Sequence, residues 1–348
     1  MLDGGDPSGP KGRDRLLLAG DVGGTKVDLA VVSRERGARQ PIAKRRYASS
    51  SYASLADMVR DFLRETSIEV GAACLDVAGP VIAGEARLTN LPWEISEGSL
   101  AAALELERVW LLNDLVATAS AIPLLGSDEF DQVKEGQPLR GGTIAVLAPG
   151  TGLGEAFLTQ EADGYRAHAS EGGHAAFAPT DELELELLRA LWQRFDHVSF
   201  ERVASGVGIP NLYDFLRERG GGGQSARLAD ELMKTADQTR PILEAALDPV
   251  EPDPLARATL QLFLQILGTE AANLALKMLA TGGVYLAGGI AQALRDALRT
   301  SPFIDAFTGA GRFSPMLERV PVMVVLGEVA LLGAASEGLR LMAGPPAP

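Results

Sequence analysis

The chain has 348 residues, 46% hydrophobic and 22% charged, enough to bury a sizeable core and, on length alone, to suggest two domains. Its formal net charge of −14 and pI of about 4.8 argue against non-specific binding to a nucleic-acid backbone. A single cysteine, Cys74, excludes an intrachain disulfide and a Cys-rich zinc site, and the only histidines, His168, His174 and His197, make a His/Cys metal centre an unexpected feature. The first residues, MLDGGDPSGPKGRD, are polar and rich in Gly and Pro; residues 1–14 read as a disordered tail rather than a signal peptide. No run of roughly 18 uninterrupted apolar residues occurs, so no transmembrane helix is expected, and a reducing cytoplasm is the simplest location.

The first element is a hairpin. An apolar run over 16–19 enters Gly20-Asp21-Val22-Gly23-Gly24-Thr25-Lys26, and a second over 27–32 leaves it. Gly23 and Gly24 have no Cβ, so an anion can come close to the backbone N–H groups. Thr25 adds a hydroxyl donor, and Asp21 can orient a phosphate-bound Mg²⁺ directly or through water. An ordinary hairpin turn is the alternative; GxxxxGK[ST] is absent, so this is not a Walker loop. A third strand is expected within 44–50. Ser54 and Asp57 form an [ST]xx[DE] capping box before Leu55, Val59, Phe62 and Leu63, which predicts a helix over about 54–66. Residues 72–77 read as a buried strand closed by Ala78-Gly79-Pro80, 89–93 as a loop and 99–106 as a short helix. Residues 109–112 form another apolar strand, ending at Asn113-Asp114. Strands alternating with helices point to α/β layering with a partly parallel sheet.

Past residue 124 a polar connector leads to a second strand–glycine turn–strand unit. Residues 143–147 enter Ala148-Pro149-Gly150-Thr151-Gly152-Leu153-Gly154, and 155–158 leave it. Recurrence of this theme after about 130 residues is what two related domains closing on one nucleotide would show, a chance repeat being the alternative. Then come Ser170-Glu171-Gly172-Gly173-His174, a helix over about 181–195, short elements at 201–207 and 211–217, and a flexible insertion at Gly220 to Gly223. A long helix is predicted over 256–280, where Arg257, Glu270 and Lys277 mark it as a core helix rather than a membrane one. A strand at 283–287, a Gly288-Gly289 turn, a helix at 292–299 and helical spacing over 328–342 complete the chain.

Four places can carry chemistry. Asp114 follows an apolar strand, where open α/β sheets place their ligand sites, and a carboxylate there can accept the proton of an attacking hydroxyl. Asn113 beside it offers a donor and an acceptor to a polyol, although Asn-Asp after a strand also reads as a turn or helix cap. Glu171 and His174, separated by two glycines, form a tight loop that aims a carboxylate and an imidazole at one target rich in hydroxyls. Glu201, read alone, is an exposed charge at a helix N-terminus. Gly288-Gly289 can let a nucleotide lie against the backbone.

Together these stretches resemble the bacterial glucokinases, the hexokinase-like, non-zinc group of the sugar-kinase/Hsp70/actin superfamily. The matching segments are AGDVGGTKVDLAVV, LDVAGPV, LTNLPW, LLNDLVATA, APGTGLGEA, SEGGHAAFAP, ERVASGVGIPNLYDFL, GGVYLAGGI and GRFSPMLERVPVMVV, in family order from residue 19 to about 335. The resemblance implies an α/β chain of two actin-like ATPase (ribonuclease H-like) domains flanking a ligand cleft and closing on glucose and ATP–Mg²⁺. Their expected limits are 15–124 for a small domain, completed by a C-terminal helix over about 328–348, and 125–327 for a large one. By the same resemblance Asp114 is the general base, and Asn113, Asp114, Glu171, His174 and Glu201 are the sugar ligands. Asp21, Gly23, Gly24 and Thr25 form the first phosphate hairpin, Thr151 and Gly152 the second, and Gly288 and Gly289 the adenosine motif. Another hexose, or a non-catalytic sugar sensor, is the competing reading; a homodimer is the family expectation.

The related repressor/kinase (ROK) sugar kinases carry a Cys-rich zinc loop that one cysteine cannot supply, and no N-terminal helix-turn-helix marks a repressor. Three positions depart from the glucokinase pattern. Asp76 stands where a small residue is expected, Val207 replaces a proline after Ser205-Gly206, and 326–329 lack an Asn-Pro before Glu328-Val329. None is expected to touch a catalytic residue, and the last is expected to alter packing near a hinge.

Overall fold

In the computed structural model, which describes residues 16–87, 93–220 and 223–344, the opening apolar runs pair as β1 (Leu16–Val22) and β2 (Lys26–Ser33). They are antiparallel, with Val22 opposite Val27 at the turn. β3 (Ala43–Ala48) adds antiparallel to β2. On the other side β4 (Ala72–Val77) and β7 (Arg108–Asn113) add in parallel, giving the order β3-β2-β1-β4-β7. All six residues of β4 are buried, as a central parallel strand covered on both faces requires. Between β4 and β7 lie a small antiparallel pair, β5 (Glu85–Arg87) and β6 (Glu94–Ser96). The helices are α1 (Leu55–Thr66), α2 (Glu97–Leu104) and α3 (Asp114–Ala121). The Ser54 hydroxyl accepts the Asp57 N–H at 3.1 Å, as the capping box predicts, and α1 buries Leu55, Met58, Val59 and Phe62 with Leu18, Leu29 and Leu75 of the sheet.

A second sheet has the order β11-β10-β9-β12-β13-β8. Its strands are β8 (Phe130–Lys134), β9 (Ile144–Pro149), β10 (Leu153–Glu161), β11 (Gly164–Ser170), β12 (Gly283–Leu286) and β13 (Val322–Val325). β9 and β10 form an antiparallel hairpin, and β12 and β13 follow β9 in parallel, repeating the arrangement of β1, β2, β4 and β7. Around this sheet lie α4 (Glu182–Leu191), α5 (Glu201–Ala204), α6 (Gly208–Glu218), α7 (Ala226–Leu232), α8 (Thr239–Leu247) and α9 (Pro254–Met278). The chain continues through α10 (Gly288–Ala293), α11 (Arg295–Leu298), α12 (Ser301–Thr308) and α13 (Ser314–Leu317). The C-terminal helix α14 (Ala330–Ala343) contributes Ala335 to the face of the first sheet formed by Leu17, Ala19, Val32 and Cys74. The chain divides into two compact units: Met1–Leu125 with Glu161–Ala167 and Glu328–Pro348, and Gly126–Gln160 with His168–Gly327. Among the described residues no helix is long and apolar enough to cross a membrane.

Several boundaries differ from expectation for identifiable reasons. The helix placed at 99–106 starts at Glu97, because Ser96 caps it by accepting the Ser99 N–H at 3.1 Å. The helix placed at 181–195 ends at Leu191. Gly288-Gly289 is not a free turn: it opens α10, with Gly288 at φ +88°, and the single helix expected over 292–299 is broken at Leu294 into α10 and α11. Glu270, read as a charge marking α9 as a non-membrane helix, is wholly buried. The tail over 1–14, the Thr89-Asn90-Leu91-Pro92 loop and Gly221-Gly222 of the insertion lie outside the described residues.

Candidate active site

In the first unit three aspartates gather at the carboxyl ends of parallel strands. Asp21 on β1 is in register with Asp76 on β4, and Asp114 is the residue that follows β7. Asn113 caps α3: its Oδ1 accepts the N–H groups of Leu115 (3.0 Å) and Val116 (3.3 Å), while Nδ2 donates to the Gly79 carbonyl at 3.1 Å. The Asn113 side chain also hydrogen-bonds the neighbouring Asp114 carboxyl. Asp114 Oδ1 accepts the Leu115 N–H at 2.9 Å. Burial raises the Asp114 carboxyl above the ordinary carboxylate range, with the Leu115 N–H opposing and the charge of Asp21 adding to the rise. Asp21 is raised as well, chiefly by burial and then by Asp28.

Asp76, one of the departures from the family pattern, hydrogen-bonds Asp21 of the first hairpin rather than Asp114. It is fully buried, neither oxygen receives an N–H or O–H, and its hydrogen-bonding neighbour is the carboxyl of Asp21. Such a bond needs one proton between the two. Burial, followed by the charges of Asp21 and Asp114, keeps that proton on Asp76. Above about pH 4 the unfolded chain releases this proton while the folded one retains it, so Asp76 lowers stability as pH rises. Asp76→Asn, whose amide donates to Asp21 without a borrowed proton, is expected to stabilise the fold by about 1–3 kcal/mol near neutral pH and by little below pH ~4. Thermal unfolding across a pH series checks this; a gain independent of pH, or a loss at pH ~7, contradicts it.

The first hairpin is fixed from β3's end of the sheet. The Ser49 hydroxyl donates to the Gly23 carbonyl at 2.8 Å and the Ser49 N–H to the Thr25 carbonyl at 3.0 Å, while the Gly23 N–H bonds the Lys26 carbonyl. Gly24 lies at the same turn. Lys26 pairs with Glu328, and Arg46 forks onto buried Asp28 (2.8 and 2.6 Å) and reaches Glu328 at 2.8 Å. Glu328, in the segment that lacks Asn-Pro, thus ties the C-terminal part to β2 and β3.

In the second unit Glu171, His174 and Glu201 come together. His174 Nε2 lies 3.9 Å from Glu171 Oε2, and its Nδ1 lies 3.8 Å from Glu201 Oε1. Glu171 and His174 are 72% and 59% exposed and so open to a ligand, whereas Glu201 is 24% exposed, not the free surface charge its sequence context suggested. The reason is the second glycine hairpin, where Glu201 Oε2 accepts the Leu153 N–H at 3.1 Å and a Cβ at Gly152 would overlap that oxygen. The Gly172–His174 turn is held by the Ala175 N–H on the Gly172 carbonyl (2.8 Å) and by His197 on the His174 carbonyl (2.8 Å). Both of its glycines are needed, since a Cβ on Gly173 would run into the Leu153 carbonyl and one on Gly172 into the Glu155 carboxyl.

Thr151 opens onto a cavity of roughly 1030 Å³ lined by Gly150, Thr151, Gly206, Thr239, Leu243 and Gly289 among others. Its rim is made of close backbone approaches: Gly206 N–H to Gly150 carbonyl (2.8 Å), Val207 N–H to Thr151 carbonyl (3.1 Å) and Thr239 hydroxyl to Gly206 carbonyl (2.7 Å). A Cβ on Gly288 would stand 3.1 Å from the Pro149 carbonyl. Such a cavity accepts a nucleoside-sized group beside a glycine cradle that suits phosphate. Thr239 and Leu243 escaped the sequence reading because α8 carries no glycine or acid motif. Among the described residues no group of three or more His, Cys, Asp or Glu side chains is arranged to hold a metal ion.

Comparison with known proteins decides the family. The sequence profile of the glucokinases matches residues 18–340. The chain belongs to the glucokinase family. The glucokinase of Nostoc punctiforme is 37% identical over 340 residues, 94% of this chain and 99% of that protein. A solved glucokinase from an Antarctic psychrotroph is 32% identical, with a TM-score of 0.79 over 94% of this chain and 99% of its own. A ROK family glucokinase from Streptomyces griseus, solved with glucose and AMPPNP, shares the fold at 19% identity and a TM-score of 0.60, covering 93% and 99% of the two chains. The fold is the actin-like ATPase fold of two α/β domains.

Proposed function

We propose that this glucokinase-family protein transfers the γ-phosphoryl group of ATP to the 6-hydroxyl of glucose. The observation that carries the choice of a sugar is the Glu171–His174–Glu201 array, where two carboxylates and an imidazole within 4 Å contacts of one another present several hydrogen-bonding atoms to vicinal hydroxyls. Asn113, beside Asp114, offers its side-chain amide to the same sugar. Asp114 accepts the proton of the 6-hydroxyl as that oxygen bonds to the γ-phosphorus and the bond from phosphorus to the β-phosphate oxygen breaks, releasing ADP. Burial raises its carboxyl, which makes it a better base than a surface aspartate.

Gly24 and Thr25 in one hairpin and Thr151 and Gly152 in the other would bind phosphate through backbone N–H groups, while Gly23, its own N–H on the Lys26 carbonyl, shapes the first turn, and Gly288 and Gly289 flank the adenosine. The single carboxylate of Asp21 fits a water-bridged hold on Mg²⁺ entering with the nucleotide; when bound, that ion offsets phosphate charge. A cytoplasmic homodimer is the form we propose, and light scattering tests its size.

The test is ATP-to-ADP turnover with Mg²⁺ across a panel of hexoses. Turnover with glucose supports the proposal. Activity with another hexose alone moves the specificity, and glucose binding without turnover replaces the kinase with a sensor.

A further inference from the structure

The sugar turn rests on a carboxyl that no part of the proposed reaction uses. Glu155, on the strand leaving the second hairpin, is 3% exposed, and its Oε2 occupies the space where a Cβ on Gly172 would fall. Opposite it on α9 lies Glu270, wholly buried. Neither Glu155 Oε1 nor Glu270 Oε1 receives an N–H or O–H, and the two carboxyls are each other's hydrogen-bonding neighbours. Glu270 Oε2 accepts the Asn273 amide at 2.9 Å, and Lys277 Nζ stands 3.7 Å from Glu270 Oε1. Buried carboxyls in contact hold together only while they share a proton, because two adjacent negative charges in a low-dielectric site repel strongly. With one proton the pair carries a single charge, which Lys277 offsets.

We propose that Glu155 is a positioning residue: its carboxyl, hydrogen-bonded to Glu270 beneath Gly172, holds the Gly172–His174 turn in the geometry that binds the hexose. This rests on the assignment of Glu171 and His174 to the sugar. From α9 the charged groups facing Glu155 are Glu270 and Lys277. From the turn it meets Gly172 and, beside it, the Ser170 hydroxyl, with Glu171 and His174 carried at the exposed rim and Glu201 beyond them on α5. Burial first, and the charge of Glu270 second, push the Glu155 carboxyl up to about 8. Glu270, helped by Asn273 and Lys277, is the partner that ionises first. Once Glu155 also ionises, the pair must separate, and the element lying directly on it is a turn whose contact residue has no side chain to anchor it. The sign follows: sugar binding is intact while the proton is shared and weakens as pH rises through the Glu155 titration.

The experiment measures glucose KM and kcat for the full-length protein, Glu155→Gln and Glu270→Gln from about pH 6 to about pH 10. For the unmodified chain KM is expected to rise about tenfold per pH unit above ~8, with kcat changing far less. In both variants, where an amide replaces the shared proton, this rise should disappear, whereas Glu155→Ala raises KM several-fold at every pH. An undiminished alkaline rise in both Gln variants overturns the inference, as does a flat KM in the unmodified chain. Absence of glucose turnover at neutral pH would instead count against the proposed function. In that event amide hydrogen exchange at 172–175, compared at each pH between the unmodified chain and Glu155→Gln, decides the positioning role. Equal protection throughout rejects it.

Discussion

Asp114→Asn is expected to lower kcat for glucose phosphorylation by about 10²-fold or more, while glucose KM moves by less than about threefold. The size follows from what the substitution removes and what it keeps. Asn is isosteric, and its Oδ1 can still accept the Leu115 N–H that Asp114 accepts at 2.9 Å, so the start of α3 keeps its shape. The neighbouring cap, Asn113 on Leu115 and Val116, is untouched. Lost is the only group there proposed to take a proton from the attacking hydroxyl. The unmodified enzyme should also show an acid limb in kcat/KM above the ordinary carboxylate range, since burial and the charge of Asp21 both raise Asp114. That limb should be missing from the residual activity of the variant. Steady-state kinetics over a pH series checks both points, and a variant turning over within about tenfold of the original removes Asp114 from the role of base.

Elements with local signals were legible in the sequence. The Ser54–Asp57 box set the start of α1 within a residue, because a cap is a contact between chain neighbours. The apolar run at 72–77 matched β4 from end to end, since a central parallel strand is buried on both faces. β8, β11 and β13 gave no such signal. β8 and β11 lie at the edges of the second sheet, where half-exposed polar residues are tolerated, and β13 has four residues. The break at Leu294 depends on packing that periodicity does not encode.

The candidate site divides in the same way. Glu171 and His174 are three residues apart on one glycine turn, so sequence places them together, whereas Glu201 joins them only through the Leu153 N–H. The supporting carboxyls were the least legible. Asp76 stood out in an apolar strand, but its contact with Asp21 arises from a parallel register between β1 and β4. Glu155 and Glu270 are 115 residues apart and pair only in the fold. An acid at an inward position of a buried strand was the available signal for Glu155, and it passed as part of the glycine motif.

Gly333→Ala is expected to destabilise the protein by about 2–4 kcal/mol and to reduce kcat with it, although Ala is the better helix former by about 1 kcal/mol. The sign is decided by how closely α14 and α3 approach. A Cβ on Gly333 would overlap the Ala117 carbonyl oxygen, 2.6 Å from its carbon and 3.1 Å from the Ala121 N. These are backbone atoms, so no rotamer change relieves the overlap, and the helices must move apart. Five residues along, a Cβ on Gly338 would stand 2.5 Å from both Cys74 Cβ and Leu17 Cδ2, so α14 is pressed onto β1 and β4 as well. Separation would open the small apolar cluster of Leu17, Ala19, Val32, Cys74 and Ala335 and leave a void that side chains cannot refill. It would also shift α3, whose first residue is Asp114, which is why a stability change here should reach the chemistry. Gly98, in α2 with nothing within 4 Å of its would-be Cβ, is the control: Gly98→Ala should be neutral or stabilise by up to about 1 kcal/mol on propensity alone. Denaturant unfolding of the two variants, beside their kcat values, separates packing from propensity. If Gly333→Ala is as stable as the unmodified chain, the contact between α14 and α3 is looser than these distances require.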